Sequence, residues 1–197
     1  AFPVVIVGWL YHIPILIHES DSVPGITNSI LGKFATRVAV SYPSAKKEFM
    51  ASQVLLTGNP LRKDINMGDA QKIKQQFSLL EEKKTIFVIG GSQGSQAINE
   101  KIVNILPQLL KKYQVIHQTG EANFDKVRHK AGELGIKIGR EGYHAFAFIG
   151  DEMKDIFAAS DLVITRAGAN SLSEIAANGK PAIVIPIESS ANNHQRM

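Results

Sequence analysis

One stretch of the sequence decides the fold class: Asp161-Leu-Val-Ile-Thr-Arg-Ala-Gly-Ala-Asn-Ser-Leu-Ser-Glu174. An apolar, strand-like run ends at Thr165, small residues follow, and a helix-like run begins at Glu174. Small residues let the backbone approach a ligand closely, and free N–H groups at a helix start attract phosphate. Ser171 and Ser173 could cap the helix or bind oxygen atoms, and Glu174 could hold a pair of sugar hydroxyls. The alternative is an ordinary helix cap beside a core strand.

A second strand–turn–helix unit lies earlier in the chain. The run Thr85–Ile89 is short and rich in branched residues, as expected of a buried parallel strand. It continues into Gly90-Gly-Ser-Gln-Gly-Ser95 and then into a helical stretch, Ala97–Leu110. Such a unit cradles phosphate in nucleotide-binding α/β folds. The glycine spacing matches neither the dinucleotide fingerprint nor the P-loop, so neither NAD nor ATP is the first expected ligand.

Composition narrows the class of protein. With 197 residues, of which 44% are hydrophobic and 20% charged, the chain can bury a sizeable core. The absence of cysteine excludes disulfides and thiolate metal sites. A net charge of +4 without a block of Lys and Arg argues against a nucleic-acid partner. It is compatible with a weak attraction to pyrophosphate or to anionic lipid.

The chain opens inside an apolar run, Phe2–Tyr11, without an initiator Met. No basic region precedes this run, and Gly8, His12 and Pro14 interrupt the apolar sequence, so it predicts neither a signal peptide nor a membrane span. The sequence stops at Met197, where a helix is expected to begin. We therefore expect an interior piece of a larger protein.

Strands alternate with helices along the chain, which predicts parallel, doubly wound sheets. Strands are expected at Ile15–His18, Arg37–Ser41, Val54–Leu56, Thr85–Ile89, Tyr113–Thr119, Ala145–Ile149, Leu162–Thr165 and Ala182–Pro186. Helices are expected up to Tyr11 and at Thr27–Ala35, Ser44–Met50, Asp69–Phe77, Ala97–Leu110, Phe124–Leu134, Met153–Ala159 and Leu172–Asn178. Turn chemistry in Thr57-Gly-Asn-Pro-Leu-Arg62 marks a linker, so we expect a partial domain over 1–56, a linker over 57–64 and a second domain over 65–197.

Six ordered motifs resemble those of the MurG family of UDP-N-acetylglucosamine–N-acetylmuramyl-(pentapeptide) pyrophosphoryl-undecaprenol N-acetylglucosamine transferases. They are Ile17-His-Glu-Ser-Asp21 with Pro24-Gly-Ile-Thr-Asn28, Thr57–Arg62, Gly90–Ser95, Phe148-Ile-Gly-Asp-Glu-Met153, Arg166–Glu174 and Asn193-His-Gln195. The resemblance implies a GT-B fold, in which two Rossmann-like domains face a cleft. It also implies that both domains are incomplete here, the N-terminal one heavily, and that a candidate catalytic histidine lies in the missing part.

Site residues follow from the resemblance, motif by motif. It implies donor binding by Arg62, by Ser92 near the diphosphate and by Ile149 against uracil. It also implies nucleotide contacts by the segment that follows Gly168, with Glu174 on the ribose. Gln195 is implied to contact the sugar. The segment consists of Ala169, Asn170, Ser171, Leu172, Ser173 and Glu174. Asp21 and His194 are further candidates for the sugar.

The implied activity is transfer of N-acetylglucosamine from UDP-N-acetylglucosamine to the C4 hydroxyl of undecaprenyl-pyrophosphoryl-N-acetylmuramoyl-pentapeptide. Family members invert the anomeric centre, so one displacement assisted by a general base is expected. His18 and Glu19 are supporting candidates on the acceptor side, although a strand-end histidine satisfied by a carboxylate is the simpler interpretation. No Asp-x-Asp motif is present, so we expect no tightly bound cofactor and allow only a loosely bound divalent cation.

The lipid-linked acceptor implies a peripheral location on the cytoplasmic face of the cell membrane, with an anionic membrane surface as a partner. Trp9 and Lys33 fall where the family has an apolar and basic membrane-facing surface, although a tryptophan on an apolar helix is more often part of the core. We expect His117 to be structural.

Three other functions stay open at this point. One is another GT-B enzyme, such as a UDP-N-acetylglucosamine 2-epimerase-like protein. Another is a non-catalytic module that binds a nucleotide-sugar. A nicotinamide oxidoreductase is more distant, because neither glycine loop has the dinucleotide spacing.

Overall fold

The computed structural model describes residues 1–186, and the chain divides into two compact units, Ala1–Pro60 and Leu61–Ile185. The division lies inside the segment 57–64. Both units alternate helices with parallel strands, which confirms the predicted α/β class. Among the described residues, no helix is long and apolar enough to cross a membrane.

The first unit contains a three-stranded parallel sheet in the order β1-β2-β3. Its elements are α1 (Phe2–Leu10), β1 (Leu16–Glu19), α2 (Ile26–Leu31), β2 (Arg37–Val40), a 3-10 helix (Pro43–Glu48) and β3 (Val54–Leu56). The small core consists of Ala35, Val38, Val40 and Ala45. The predicted helix Ser44–Met50 is this 3-10 helix. Because Ala45 is its one buried residue, the segment has no apolar stripe that would favour a longer α-helix.

The second unit contains a five-stranded parallel sheet in the order β6-β5-β4-β7-β8. Its elements are α3 (Ala70–Gln76), β4 (Lys84–Ile89), α4 (Gln96–Leu109), β5 (Tyr113–Gln118), α5 (Glu121–Glu133), β6 (Tyr143–Phe146), α6 (Met153–Ala159), β7 (Leu162–Arg166), α7 (Ala169–Ala177) and β8 (Ala182–Ile185). The chain builds outward from β4 to β6 and then returns to place β7 on the other side of β4. This doubly wound order creates a switch point between β4 and β7.

Both faces of the five-stranded sheet are buried. Along β4, Phe87 and Ile89 belong to one core cluster, whereas Ile86 and Val88 belong to the other. This explains why the strand reads as a continuous apolar run, because a parallel strand covered on both faces needs apolar side chains in both directions. The core therefore holds the strand ends in fixed positions at the switch point.

Several predicted boundaries were wrong. The helix expected at Thr27–Ala35 is Ile26–Leu31, and the helix expected at Phe124–Leu134 is Glu121–Glu133. The strand expected at Ala145–Ile149 is Tyr143–Phe146, because pairing with β5 ends at Phe146 and the chain then leaves the sheet. The helix expected from Leu172 begins at Ala169, because Gly168 in extended backbone is already its N-cap.

Candidate functional site

The site is built at the carboxyl ends of β4 and β7. The two strands pair in parallel through Ile89 and Thr165, so the loops that follow them begin side by side at one edge of the sheet. Open α/β sheets bind ligands in the crevice outside the carboxyl ends of the strands at such a switch point. The two glycine-containing segments found in the sequence are therefore brought together by the topology.

The first of these loops, Gly90–Ser95, has a shape that only glycine permits at Gly94. The backbone of Gly94 has φ +75, and a Cβ there would lie 1.8 Å from the carbonyl oxygen of Thr119. The N–H of Gly94 donates to the carbonyl of Gly91 over 3.1 Å, which closes the turn. Ser92 lies exposed at the tip of this turn. The close packing on the end of β5 fixes the loop from below.

The N-cap residues of α4 and α7, the helices that follow these two segments, do not cap them with a side chain. Ser95 precedes α4 and Gly168 precedes α7, and neither residue makes a side-chain capping hydrogen bond. By contrast, Asp69 accepts from the N–H groups of Gln71 and Lys72 at the start of α3. Uncapped helix starts carry partial positive charge and N–H donors, which favour an anionic ligand.

The expectation that Ser171 or Ser173 caps α7 was wrong. Both lie inside the helix, half-buried, because the helix begins directly after Gly168. The hydroxyl of Ser173 donates to the carbonyl of Ala169 over 2.8 Å. Ala169 and Leu172 are half-buried, and Asn170 is exposed in the first turn.

Glu174 is paired with Arg62 within the second unit. The Nε of Arg62 lies 3.1 Å from Oε1 of Glu174, which brings together two residues predicted for donor binding. Glu174 is buried, with 8% of its area exposed. Burial raises the pKa of the Glu174 carboxyl more than the neighbouring Arg62 lowers it. Arg62 therefore offsets part of the cost of burying the charged carboxylate.

In the segment after β6, the side chain of Ile149, which was predicted to contact uracil, is buried. Ile149 is 3% exposed and packs in the core, whereas the neighbouring Phe148 is 52% exposed. The N–H of Ile149 donates to Oε1 of Gln118 over 2.9 Å. A contact between uracil and this segment stays a prediction, and the buried Ile149 side chain is not the part that can make it. Nothing in the sequence marks Gln118 as a site residue.

His18 and Glu19 have separate partners, so the simple interpretation in which they satisfy each other was wrong. The Nε2 of His18 lies 3.2 Å from the carbonyl of Gly58 and 3.3 Å from the hydroxyl of Ser41. Glu19 is 3% exposed, and its carboxylate accepts three hydrogen bonds. The donors are the N–H groups of Asp21 and Gly25 and the side-chain amide of Asn28. Glu19 therefore shapes the segment that carries Asp21, which is half-buried.

The remaining predicted residues belong to the first unit, to the core of the second unit or to the part of the chain beyond residue 186. Trp9 is 51% exposed and contacts the edge of Phe34, so the alternative of a core tryptophan was wrong. Lys33 is exposed. His117 is structural as predicted, because it is fully buried between Tyr143 and Asn99. Gln195 and His194 lie outside the described residues.

Among residues 1–186, no group of three or more His, Asp or Glu side chains is arranged to hold a metal ion.

Family models match both parts of the chain. Residues 85–197 match the glycosyltransferase family 28 C-terminal domain, and residues 1–40 match the N-terminal domain of the same family. The chain belongs to glycosyltransferase family 28. Its membership confirms the resemblance found in the sequence and makes the switch-point edge part of a family 28 C-terminal domain.

Curated relatives in this family cover nearly the whole chain. It is 40% identical over 200 residues to a protein of Thermodesulfovibrio yellowstonii and 37% identical over 192 residues to one of Bacillus cereus. Both are named as UDP-N-acetylglucosamine–N-acetylmuramyl-(pentapeptide) pyrophosphoryl-undecaprenol N-acetylglucosamine transferases. The matches cover 100% and 98% of this chain but 53% and 52% of those proteins. The chain thus spans about half the length of the curated relatives it matches.

Solved structures share the fold. The crystal structure of Acinetobacter baumannii MurG matches with a TM-score of 0.65 at 24% identity, over 98% of this chain and 51% of that one. A putative UDP-N-acetylglucosamine 2-epimerase from Listeria monocytogenes matches with a TM-score of 0.66 at 16% identity, over 94% of this chain and 54% of that one. These likenesses confirm the predicted GT-B fold class.

Proposed function

We propose that this chain carries the donor site of a glycosyltransferase of peptidoglycan synthesis. The donor is UDP-N-acetylglucosamine, and the acceptor is the C4 hydroxyl of undecaprenyl-pyrophosphoryl-N-acetylmuramoyl-pentapeptide. The observation that carries the proposal is the meeting of Gly90–Ser95 with the uncapped start of α7 at the β4–β7 switch point. The names of the curated relatives support the choice of donor and acceptor.

The diphosphate of the donor is assigned to the two uncapped helix starts. Departure of UDP leaves negative charge on the diphosphate, and fixed N–H donors stabilise such charge without reorganisation. Ser92 adds a hydroxyl donor from the tip of the first loop. Glu174, held by Arg62, is assigned to the ribose hydroxyls, because a carboxylate accepts two hydroxyl donors. This division assigns the diphosphate to the two helix starts and the ribose to Glu174, further along α7.

The acceptor side is assigned to the first unit. Inversion in one displacement needs a general base, and His18 is a supporting candidate because its imidazole is half-buried and held by Ser41 and the Gly58 carbonyl. Glu19 acts by shaping the segment that carries Asp21, because backbone and amide donors occupy its carboxylate.

An assay of UDP release tests the proposed reaction. The full chain is incubated with UDP-N-acetylglucosamine, with and without the lipid-linked acceptor, and both UDP and glycosylated lipid are quantified. Release of UDP that requires the acceptor, in equal amounts with new glycolipid, is the expected result. Release of UDP without the acceptor would favour the epimerase-like alternative. Binding of UDP without turnover would favour a nucleotide-sugar-binding module.

The first unit is assigned to the cytoplasmic face of the membrane, where it would meet the lipid-linked acceptor. Helix α1 contains no charged residue and exposes Val4, Trp9 and Leu10, and Lys33 lies exposed in the same unit. Aromatic residues favour the membrane interface, and one lysine near an anionic surface contributes ~1 kcal/mol.

Cosedimentation with anionic vesicles tests this location. The chain should bind at low salt and leave at high salt, because exposed charges are screened. Lys33→Glu should bind less, and so should Trp9→Ala, whereas a charge reversal at Lys130, on α5 of the second unit, should have no effect. Binding that ignores both salt and Lys33→Glu would exclude this surface as the docking face.

A further inference from the structure

A buried glutamine links the two loops that would bind the nucleotide. Gln118 is the last residue of β5, lies between Ile89 of β4 and Phe146 of β6, and is 1% exposed. Its Nε2 donates to the carbonyl of Gly91 over 3.0 Å, and its Oε1 accepts from the N–H of Ile149 over 2.9 Å. Both ends of one amide are thus used to join the loop after β4 to the segment after β6.

The first of these bonds fixes the direction of a peptide group. The Gly91 carbonyl also accepts from the N–H of Gly94, so two donors hold it. Since residues 1–186 contain no cis peptide bond, the N–H of Ser92 points opposite to that carbonyl, away from buried Gln118. The side chain of Gln118 therefore sets the orientation of an N–H donor at the exposed tip of the loop.

The second bond acts in the same way on the neighbouring segment. The N–H of Ile149 points toward Gln118, so the carbonyl of Phe148 in the same trans peptide points away from it. Phe148 is 52% exposed, so this peptide lies where the buried core ends and the exposed surface begins. One amide therefore orients the exposed side of both segments.

We propose that Gln118 is a positioning residue for the nucleotide. It holds the loop Gly90–Ser95, assigned to the diphosphate, and the segment after β6, predicted to contact uracil, in a fixed position relative to each other. It acts through Gly91 and Ile149 and is too buried to contact a ligand itself. The proposal rests on the proposed function, because it assigns a purpose to a link between two parts of the same donor site.

The same strand offers a matched control. Gln114 lies four residues earlier on the same face of β5 and is also 1% exposed, but it is next to the opposite edge of the sheet. Its Oε1 accepts from the N–H of Leu80 over 2.7 Å, and its Nε2 donates to the carbonyls of Leu80 and Lys83. It therefore makes at least as many hydrogen bonds as Gln118, and its loss should destabilise the fold at least as much.

The first experiment compares Gln118→Leu with Gln114→Leu in the full chain. Thermal unfolding should show that Gln114→Leu is at least as destabilised. Calorimetric titration should show the Kd for UDP raised about tenfold or more by Gln118→Leu, which removes both loop bonds, and changed less than about twofold by Gln114→Leu. A Gln118→Leu variant that is folded and binds UDP like the unaltered chain would overturn the proposal. So would an equal loss of binding in both variants.

A second pair of variants gives a signature that a purely structural role would not produce. In Gln118→Glu, a protonated carboxyl can still donate to Gly91 and accept from Ile149, whereas a carboxylate cannot donate. Burial beside a carbonyl raises the pKa of the introduced carboxyl, so the neutral form persists in weak acid. The Kd for UDP, divided by that of the unaltered chain at each pH, should be near one at about pH 5 and rise about tenfold by about pH 8.

The ratio for Gln114→Glu should stay flat over the same range, because that residue lies at the other edge of the sheet. A flat ratio for Gln118→Glu would overturn the proposal. Failure of the unaltered chain to bind UDP would overturn the proposed function together with this proposal. Binding by the unaltered chain without any effect of Gln118 would overturn this proposal alone.

Discussion

The two loops at the switch point start from paired strands but are held by different means. The loop Gly90–Ser95 is fixed by packing and by Gln118, since Gly94 lies against the Thr119 carbonyl and Gly91 is bonded to the buried amide. Gly168, before α7, has no atom within 4 Å of the position where a Cβ would stand. Its helix is instead tied at Glu174 to Arg62. The first loop is therefore a rigidly packed backbone turn. The second segment has loosely packed backbone at Gly168 and is held through the Glu174 side chain.

Alanine at the two glycines should break this comparison most sharply. Gly94→Ala introduces a clash at 1.8 Å and a strained φ, so the free energy of unfolding should fall by roughly 2–4 kcal/mol and UDP binding should be lost. Gly168→Ala should cost less than about 1 kcal/mol of stability, because its backbone is extended and its surroundings are open. Denaturant unfolding and calorimetry with UDP measure both effects. Equal stability of the two variants would show that the first loop is not sterically fixed.

Lowering the pH should weaken the hydrogen-bonded support of the first loop that includes His117. His117 bonds to Asn99, which donates to the same Thr119 carbonyl that packs on Gly94. Burial lowers the pKa of His117 from 6.5 to about 3, so between these values the unfolded chain binds a proton that the folded chain does not. The stability that neutral His117 provides is therefore complete above pH 6.5 and is lost as the pH falls toward 3.

Unfolding of the unaltered chain measured between about pH 6 and pH 4 should reveal this loss as a slope of up to about 1.4 kcal/mol per pH unit. The slope should be smaller in His117→Gln, which has no titrating group at position 117. His129→Gln, at an exposed position on α5, should keep the slope of the unaltered chain. If removal of His117 leaves the slope unchanged, this imidazole is not the group that couples the fold to pH.

At the second loop, the effect should fall on binding and not on stability. Glu174→Gln should weaken UDP binding by about 1–2 kcal/mol, because charge-assisted hydrogen bonds to the ribose are lost. The free energy of unfolding should change by less than about 1 kcal/mol, since the buried carboxylate is itself unfavourable to ionise, as its raised pKa indicates. Glu133→Gln on α5 serves as the control. Unchanged UDP affinity in a folded Glu174→Gln variant would remove the ribose assignment.

The smallest effect is expected at the tip of the first loop. Ser92→Ala should weaken UDP binding by about 0.5–1.5 kcal/mol, the net contribution of one hydrogen bond, because the backbone donors of the loop remain. Binding of uridine, which has no diphosphate, should not change. Equal losses for UDP and uridine would move Ser92 away from the diphosphate.

The sequence predicts the strands and both glycine segments well, because a buried parallel strand such as β4 must be apolar on both faces and its exit must be a tight turn. It does not predict how side chains reinforce the loops. In the sequence, Gln118 is an ordinary polar residue at a strand end. Its hydrogen-bond partners, Gly91 and Ile149, lie 27 and 31 residues away. The ion pair of Glu174 likewise joins it to Arg62, far away in the sequence. Such contacts arise from topology and have no local sequence signal.

The N-terminus of α7 also differs from the expectation based on the sequence, for a physical reason. Serine is a common N-cap, so Ser171 and Ser173 were plausible starts for α7. The chain instead enters the helix from β7 through Gly168, so the N-cap residue has no side chain with which to cap the first turn. A helix start that is not capped by its own serine side chains favours the binding of an external anion.

Hydrogen exchange of the full chain with and without saturating UDP tests the location of the donor site most directly. We expect UDP to slow amide exchange in residues 90–95 and 169–173, at the carboxyl ends of β4 and β7. Residues 78–83, next to Gln114 at the opposite edge of the sheet, should exchange at an unchanged rate. Bound UDP that leaves both loops unprotected, or that protects the opposite edge, would contradict a nucleotide site at this switch point.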